Sequence, residues 1–396
     1  MNIKSFLGNA ILLFSSILIS LLLGEFIVRF FAPQVTSPSQ AFYDEQLGGN
    51  VPVPNQKGFK NHPGVYYYEY QNNDIGLRDT RSTAELKKIP FKILNIGDSF
   101  AYGWGVNDEE TFSKITEKSL DSDTIAVLNA GSPGAGSDYS LRFLETRGKE
   151  LSPKIVVYYA FDNDFFDNLA NSYYHIESDS IIRNTEASLT KDEIIKKNNL
   201  ALNPYYNWFC KNSQLFCLIR TQIGNFRNRK KNSEVNKSAK TEPSNPKMSE
   251  KLNEKTSNPT AKNTPPINST TTYKIDITKP TDHDFELMQH YTCLYAKAMN
   301  EYCKKNNIQY IVVYIPSYEM IHSSNYKNEK ALEDFCKMNK ISFYSLKDSF
   351  IKTGKPVESY FLHEYSDAYL GHWNKEGNKV AASYLTIMLK RDYLKK

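Results

Sequence analysis

A serine stands three residues after a short apolar run. Residues 91–96 read Phe-Lys-Ile-Leu-Asn-Ile, and Gly97-Asp98-Ser99-Phe100 comes next, ahead of a glycine-rich turn. A run of this composition predicts a buried β-strand that delivers Ser99 to its carboxyl end. A hydroxyl is a weak nucleophile at neutral pH. Catalysis by Ser99 therefore requires a general base within hydrogen-bond reach and donors for a developing oxyanion.

Three other segments carry residues that could complete such a site. Gly134 lies in a glycine-rich loop after the second apolar run, where its backbone N–H can approach a substrate closely. Asn163 follows the third run and offers a neutral amide donor, and His372 stands in a polar stretch near the C-terminus. We expect the N–H groups of Ser99 and Gly134 and the side chain of Asn163 to form an oxyanion hole, with His372 as the base.

The elements that would position these residues are short apolar runs that alternate with segments of helical periodicity. The runs cover residues 91–96, 124–128, 155–160, 308–315 and 341–346, and the helical segments cover 110–120, 139–149, 285–304, 329–338 and 375–390. This alternation is typical of a parallel sheet covered by helices on both faces, so the predicted fold class is α/β. With strand order 2-1-3-4-5, Ser99 and Asn163 would flank the crevice at the carboxyl ends of the strands.

These blocks resemble those of the SGNH/GDSL hydrolases, a serine esterase family named for Ser, Gly, Asn and His in four separated motifs. The similar stretches are Gly97 to Val106, Asn129 to Gly134 and Gly371 to Asn374, and the resemblance runs from about residue 75 to the C-terminus outside a polar insert. It implies a three-layer α/β/α flavodoxin-like domain with Ser99 as nucleophile, Gly134 and Asn163 in the oxyanion hole, and His372 as general base. Similar stretches occur in membrane-anchored bacterial members.

The chain departs from the family pattern before the histidine. Members usually place an aspartate two or three residues upstream, where it orients the ring, but Leu370 and Tyr369 stand there in this sequence. The nearest carboxylate is Asp367, followed by Glu364. We expect Asp367 to reach the imidazole from a lengthened loop. The alternatives are a Ser–His dyad with a backbone carbonyl as orienting group, or loss of activity.

The N-terminus carries a long apolar segment. Residues 6–23 are almost wholly apolar, and with the phenylalanines that follow, the segment 6–31 is long enough to cross a ~30 Å hydrocarbon layer. A cleaved secretory signal would have a shorter apolar core and a small-residue cleavage site, and no Ala-x-Ala-like site is present. We expect residues 1–32 to be an uncleaved signal anchor, with the catalytic part outside the cytoplasm.

The formal charge of +5 is concentrated in one polar segment. Between residues 227 and 262, Lys and Arg outnumber Glu by six, so the rest of the chain is nearly neutral and nucleic acid is not an expected partner. Residues 227–280 contain almost no large apolar side chain, which predicts a disordered insert, with a tether to a polyanionic wall polymer as the alternative. We expect a lead-in segment over 33–88 that packs on a hydrolase-like domain spanning 89–396.

The function expected from these observations is that of an anchored serine esterase acting through an acyl-serine intermediate. The five cysteines match no zinc pattern, the glycine spacing after the second run differs from that of a dinucleotide-binding loop, and no metal or cofactor is expected. By resemblance and location the substrate is an O-acyl ester, O-acetyl in the first place, of a small molecule, a lipid, or a cell-surface or exported glycan. The alternatives are an O-acyltransferase using the same site and a non-catalytic glycan-binding or scaffold protein.

Overall fold

The structure is a computed structural model of the chain, and it describes residues 3–170, 173–177, 179–184, 189–241, 281–323, 326–364 and 370–394. The chain divides into two compact units. The small unit comprises residues 1–34 and 212–270, and the large unit comprises residues 35–211 and 271–396.

The strands of the described residues all belong to the large unit. They are β1 (Ala41–Asp44), β2 (Gly49–Pro52), β3 (Lys57–His62), β4 (Tyr66–Gln71), β5 (Phe91–Gly97), β6 (Ile125–Gly131), β7 (Ile155–Ala160), β8 (Tyr174–Glu177), β9 (Ser180–Arg183), β10 (Gln309–Tyr314) and β11 (Ser342–Ser345).

The α-helices of the described residues are α1 (Ile3–Phe31), α2 (Thr83–Lys88), α3 (Ser99–Tyr102), α4 (Phe112–Leu120), α5 (Ser137–Phe143), α6 (Lys149–Leu151), α7 (Asp164–Ala170), α8 (Lys191–Leu202), α9 (Pro204–Asn212), α10 (Gln214–Thr241), α11 (Asp282–Lys305), α12 (Tyr318–Ser323), α13 (Lys327–Met338), α14 (Lys347–Ile351) and α15 (Lys375–Asp392). A π-helical turn, Leu144–Gly148, joins α5 to α6, and short 3-10 turns cover Asp108–Glu110 and Val357–Tyr360.

Five parallel strands form the central sheet in the order β11-β10-β7-β5-β6. Numbered along the chain, this is the predicted order 2-1-3-4-5. Every residue of β7, at the centre, is buried, as expected for a parallel strand covered on both faces. The predicted α/β fold class is confirmed, and the five apolar runs coincide with these five strands.

Alternate residues of the sheet enter two separate apolar cores. On one face Leu94, Val156 and Val312 pack with residues of α5, α7, α11 and α13. On the other face Ile93 and Val157 pack with residues of α4, α14 and α15. Successive side chains of a strand point to opposite faces, so a sheet between two helical layers results. The architecture is therefore the three-layer α/β/α arrangement that the resemblance implied.

The lead-in segment contributes two antiparallel hairpins, β1 with β2 and β3 with β4. Strand β4 is the tyrosine-rich stretch of this segment. Past this hairpin, Arg78 is almost fully buried, pairs with Asp108 at 2.7 Å, and donates to the carbonyls of Gly103 (2.5 Å) and Val106 (2.6 Å). The lead-in is thus tied by hydrogen bonds to the turn that follows Ser99.

The small unit contains α1 and α10. Residues 6–31 of α1 are long and apolar enough to cross a membrane, the one such helix among the described residues. The disordered insert was predicted to start at residue 227, but residues 227–241 belong to helix α10. Lys, Arg and Glu have high helix propensity, so a helix nucleated at Gln214 continues until the chain approaches Pro243. The remainder of the predicted insert, 242–280, lies outside the described residues.

Candidate active site

Ser99 is the first residue of the short helix α3, immediately beyond β5. Asp98 caps this helix by accepting a hydrogen bond from the N–H of Phe100 at 2.9 Å. The helix can lie against the end of β6 because Gly131 has no side chain, and a Cβ there would overlap the backbone of Tyr102. The turn between strand and helix therefore presents the Ser99 hydroxyl at the carboxyl edge of the sheet, as predicted.

His372 meets Ser99 across 273 positions of sequence. Its Nε2 lies 2.8 Å from the Ser99 Oγ, within hydrogen-bond distance. The histidine is held by a loop that closes on itself, since Phe361 and Trp373 form an antiparallel bridge and the N–H of Leu362 donates to the His372 carbonyl at 2.8 Å. The predicted nucleophile and the predicted base are thus in contact without any movement of the chain.

The other ring nitrogen of His372 is paired with Glu364. Its Nδ1 lies 2.5 Å from Glu364 Oε2, and the backbone N–H of His372 donates to the same oxygen at 2.8 Å. The indole N–H of Trp104 donates to the second carboxylate oxygen at 3.0 Å. The Glu364 side chain is 4% exposed and that of His372 is 14% exposed. All three contacts are made by N–H donors, so they favour the ionised carboxylate.

Burial and hydrogen bonding act in opposite directions on Glu364. Burial acts to raise the pKa of this carboxyl, but the hydrogen bonds from His372 and Trp104 and the charge of the imidazole outweigh it, so the net pKa is lowered. Glu364 is accordingly an anion across the neutral pH range. An anion beside Nδ1 keeps the proton on that nitrogen and leaves Nε2 free to accept one from Ser99.

Asp367, the predicted orienting carboxylate, lies outside the described residues, and its role stays a prediction. Glu364 is the second-nearest carboxylate upstream in the sequence, eight residues before the histidine. The sequence offers one further signal for it, the glycine at position 371. A Cβ at Gly371 would overlap the Glu364 carboxylate, so this residue provides the space in which the acid sits.

Gly134 and Asn163 leave the same edge of the sheet as Ser99. Gly97 of β5 is paired with Gly131 of β6 on one side and with Tyr159 of β7 on the other. Ser99, Gly134 and Asn163 lie two, three and four residues, respectively, after these paired positions. The structure therefore places all three just beyond the carboxyl ends of adjacent strands. Gly134 has φ +77°, a conformation that favours glycine, and it is exposed.

The amide of Asn163 is held by an acidic neighbour. Its Nδ2 donates to Asp167 Oδ2 at 3.0 Å. Burial, with the nearby Asp98 charge second, raises the pKa of Asp167 to about 6. Burial likewise raises the pKa of Asp98 and, with the charge of Asp98 second, that of Asp164 well above its ordinary value.

Trp104 and Arg78 were missed as site residues by sequence reasoning. Besides its bond to Glu364, the Trp104 indole N–H lies 3.1 Å from the hydroxyl of Tyr66, and Lys60 Nζ stands 3.4 Å from the ring centroid. The hairpin of β3 and β4 therefore borders the site. The available signal was the position of Trp104 within the glycine-rich turn after Ser99, because a large aromatic residue in such a turn must pack on a neighbour.

The arrangement can carry out proton transfer and nucleophilic attack, because its contacts form a continuous relay from Ser99 through His372 to Glu364. The described residues contain no group of three His, Cys, Asp or Glu side chains placed to hold a metal ion. All five cysteine side chains are buried.

Comparisons with known proteins give structural similarity only. No family model and no curated protein matches the chain. Among solved structures, a member of the lipolytic protein G-D-S-L family from Veillonella parvula is 8% identical, with 77% of this chain and 100% of that chain covered and a TM-score of 0.32. The psychrotrophic esterase EstA from a Pseudoalteromonas species is 12% identical over 75% and 96% of the chains, with a TM-score of 0.33.

An acetyl xylan esterase from Butyrivibrio proteoclasticus is 10% identical, with 76% of this chain and 63% of that chain covered and a TM-score of 0.28. The G-D-S-L name to which the sequence motifs pointed thus recurs among the similar structures. Identities and TM-scores this low carry no argument about activity, so the functional conclusion depends on the geometry of the site.

Proposed function

We propose that this chain is a serine hydrolase of O-acyl esters that works through an acyl-serine intermediate. The observation that carries the proposal is the relay of three side chains in which Ser99 Oγ lies 2.8 Å from His372 Nε2 and His372 Nδ1 lies 2.5 Å from Glu364. Nucleophile, base and orienting acid from two distant parts of the sequence meet in the order that acyl transfer needs.

In the first half-reaction, Ser99 Oγ attacks the ester carbonyl carbon while His372 Nε2 takes the hydroxyl proton. The carbonyl oxygen becomes an oxyanion, which the N–H groups of Ser99 and Gly134 and the amide of Asn163 are proposed to stabilise. Glu364 stabilises the imidazolium. When the tetrahedral intermediate collapses, the bond to the leaving oxygen breaks and this oxygen takes the proton from Nε2. Water then repeats the sequence on the acyl-serine and releases the acid.

Glu364 is proposed as the orienting acid in place of Asp367. Its carboxylate is buried and accepts three hydrogen bonds, two of them from His372, so its position relative to the ring is fixed. An acid held in this way needs no rearrangement when the imidazolium forms, and this lowers the cost of the proton transfer.

The cleft beside Asn163 is large compared with an acetyl group. It has a volume of about 1090 Å³, and its lining includes three aromatic residues, Phe161, Phe166 and Phe285. Phe161 also packs on Phe100, the residue after the nucleophile, with ring centroids 4.4 Å apart. A small acyl group with a bulky alcohol suits such a space. We propose O-acetyl esters of cell-surface or exported glycans as the substrate class, with lipid esters as the alternative.

The location proposed for the enzyme is the outer side of a membrane that α1 crosses as a single span. The support is the 26-residue apolar segment over residues 6–31, which is exposed along nearly its whole length. Anchoring would keep the enzyme near esters at the cell surface.

Two other functions use the same fold. An O-acyltransferase would pass the acyl group from Ser99 to a sugar hydroxyl in place of water, through the same residues. A glycan-binding or scaffold protein would need no relay. The intact contact between Ser99, His372 and Glu364 favours an enzyme over a scaffold, because a protein that only binds has no need of a base on a serine hydroxyl.

The test uses the full chain purified in detergent. Wild type is expected to hydrolyse p-nitrophenyl acetate, and Ser99→Ala is expected to reduce kcat/KM at least a thousandfold, while the matched Ser383→Ala variant on α15 retains wild-type turnover. A serine-directed organophosphonate should label Ser99, identified by mass mapping. Equal turnover by wild type and Ser99→Ala would contradict the assignment of the nucleophile. Labelling without turnover, with acyl transfer to an added sugar, would favour the acyltransferase.

A further inference from the structure

Glu25 of α1 caps the N-terminus of α10. Its carboxylate accepts hydrogen bonds from the backbone N–H of Gln214 at 2.9 Å, the N–H of Leu215 at 3.0 Å and the hydroxyl of Ser213 at 2.8 Å. Arg29, one turn further along α1, donates to Glu25 at 2.7 Å and to the carbonyl of residue 212 at 2.7 Å. A helix N-terminus with unsatisfied N–H groups is stabilised by an anion, so these contacts fix where α10 begins relative to α1.

Glu25, which joins α1 to the start of α10, lies close to the C-terminal end of α1. Glu25 is six residues before Phe31, which at 1.5 Å per residue corresponds to about 9 Å along the axis. The boundary between lipid headgroups and acyl chains lies at a similar depth below the surface of a bilayer, roughly 5–10 Å. If α1 crosses the membrane, α10 therefore starts at this boundary.

The first three turns of α10 expose an apolar stripe. Ile219, Ile223 and Phe226 are 48%, 47% and 70% exposed, and their spacing of four and three residues places them on one side of the helix. The opposite side carries the fully buried Cys217 and the polar Thr221. Three exposed apolar residues in a row on one side of a helix favour a further apolar environment on that side.

The composition of the helix fits the surface of a bilayer better than its interior. Along its length α10 contains seven Lys or Arg residues and one Glu, so it is too polar to cross a membrane, and the described residues contain one helix apolar enough to do so. An apolar stripe combined with basic residues is the pattern of helices that lie in the headgroup layer, where the cations meet anionic lipids.

We propose that the first three turns of α10 lie in the headgroup layer of the membrane that α1 crosses, with Ile219, Ile223 and Phe226 inserted among the upper acyl chains. The partner of this surface is a phospholipid bilayer that includes anionic lipid. The chain would then contact its membrane through two helices, one across the bilayer and one along its surface, joined at Glu25. The inference rests on the proposed span and is independent of the proposed enzymatic activity.

The test places an environment-sensitive fluorophore on either side of α10 in the full chain, reconstituted into vesicles of neutral and anionic phospholipid. Ile223→Cys carries the probe on the apolar stripe, and Thr221→Cys, two residues away on the opposite side, is the matched control. Labelling of the unsubstituted chain shows how much probe attaches to the five buried native cysteines. The probe at position 223 is expected to emit at shorter wavelength and to be quenched by lipids with a nitroxide near the top of the acyl chain. The probe at position 221 is expected to be quenched less by these lipids.

Equal quenching of both probes by aqueous iodide, with none by the nitroxide lipids, would overturn the proposal, because the stripe would then face water. Shielding of the probe at position 223 from both quenchers would also overturn it and would point to a second copy of the chain on the stripe. Extraction of the chain by alkaline carbonate would overturn it as well, by showing that α1 does not span. Hydrolysis of p-nitrophenyl acetate, measured on the same samples, reports separately on the proposed function.

Discussion

Replacement of Glu364 by glutamine tests whether this residue is the acid of the relay. The carboxylate accepts from three donors, the His372 Nδ1 and backbone N–H on one oxygen and the Trp104 indole on the other. The side-chain amide introduced by Glu364→Gln has one acceptor oxygen and one NH2 group. If its oxygen faces His372, its NH2 faces the Trp104 N–H, donor against donor. The reverse orientation leaves His372 without an acceptor at Nδ1.

The size of the effect follows from these contacts. Loss of a hydrogen bond to a charged group costs about 1.5–3 kcal/mol, and an unsatisfied buried donor costs about 1–3 kcal/mol. Together they correspond to about 2.5–6 kcal/mol of transition-state stabilisation. Since each 1.36 kcal/mol is tenfold in rate, we expect kcat/KM of Glu364→Gln to fall about 10²- to 10⁴-fold. The loss should appear in kcat, because the imidazolium that Glu364 stabilises exists only along the reaction path.

The assay is hydrolysis of p-nitrophenyl acetate by the full chain, with circular dichroism and thermal unfolding to establish that each variant is folded. Asp367→Asn is the matched control, since it removes the other candidate carboxylate by the same chemical change. We expect this variant to stay within about threefold of wild type. The reasoning would be refuted if Glu364→Gln remained within about threefold of wild type while Asp367→Asn lost activity. A loss in neither variant would favour a Ser–His dyad.

Three further predictions concern the groups around the relay. Trp104→Phe keeps an aromatic ring at this position but removes the indole N–H that donates to Glu364, so kcat should fall about tenfold with KM little changed; an unaltered kcat in steady-state kinetics would contradict this. Gly371→Ala should lower kcat/KM at least tenfold because its Cβ displaces Glu364, whereas Gly224→Ala, where a Cβ meets no atom within 4 Å, should not. The pKa of Asp167 is about 6 in the native state, above its unfolded value of 3.8. Between these values the native state keeps a proton that the unfolded state has released, so the free energy of unfolding falls as pH rises from about 4 to 6. Asp167→Asn should remove this decline and raise the free energy of unfolding at pH 7.5 by about 2 kcal/mol, measured by denaturant titration across that range; parallel curves for the two proteins would contradict it.

The sheet and the residues at its edge were predictable from the sequence because both follow from local patterns. Each apolar run of five to eight residues forms a strand, and a parallel sheet places the loops after its strands on one edge. Ser99, Gly134 and Asn163 each follow a strand within four residues, so their common location could be predicted without knowing any contact between side chains.

The acid of the relay could not be predicted in the same way. The segment from Phe361 to Trp373 is a loop closed by an antiparallel bridge, and in such a loop residues far apart in sequence lie opposite one another. Glu364 reaches His372 across this loop, a contact that distance along the chain does not reveal, while the role of Asp367 stays a prediction. The predicted start of the polar insert differs from the structure for a related reason. Composition predicts disorder from residue 227, but the helix that starts at Gln214 continues past this residue.

The site therefore combines two kinds of positioning. The nucleophile and the proposed oxyanion donors are fixed by the register of the sheet, whose strands are buried on both faces and cannot shift without exposing both cores. The base and its acid come from a loop whose ends, Phe361 and Trp373, are buried in one of the two apolar cores, while Glu364 itself is held by hydrogen bonds, among them the one from Trp104. Substitutions that remove these hydrogen bonds should affect proton transfer more than the free energy of unfolding, because they leave both apolar cores intact. Activity and stability should thus respond to different residues in this protein.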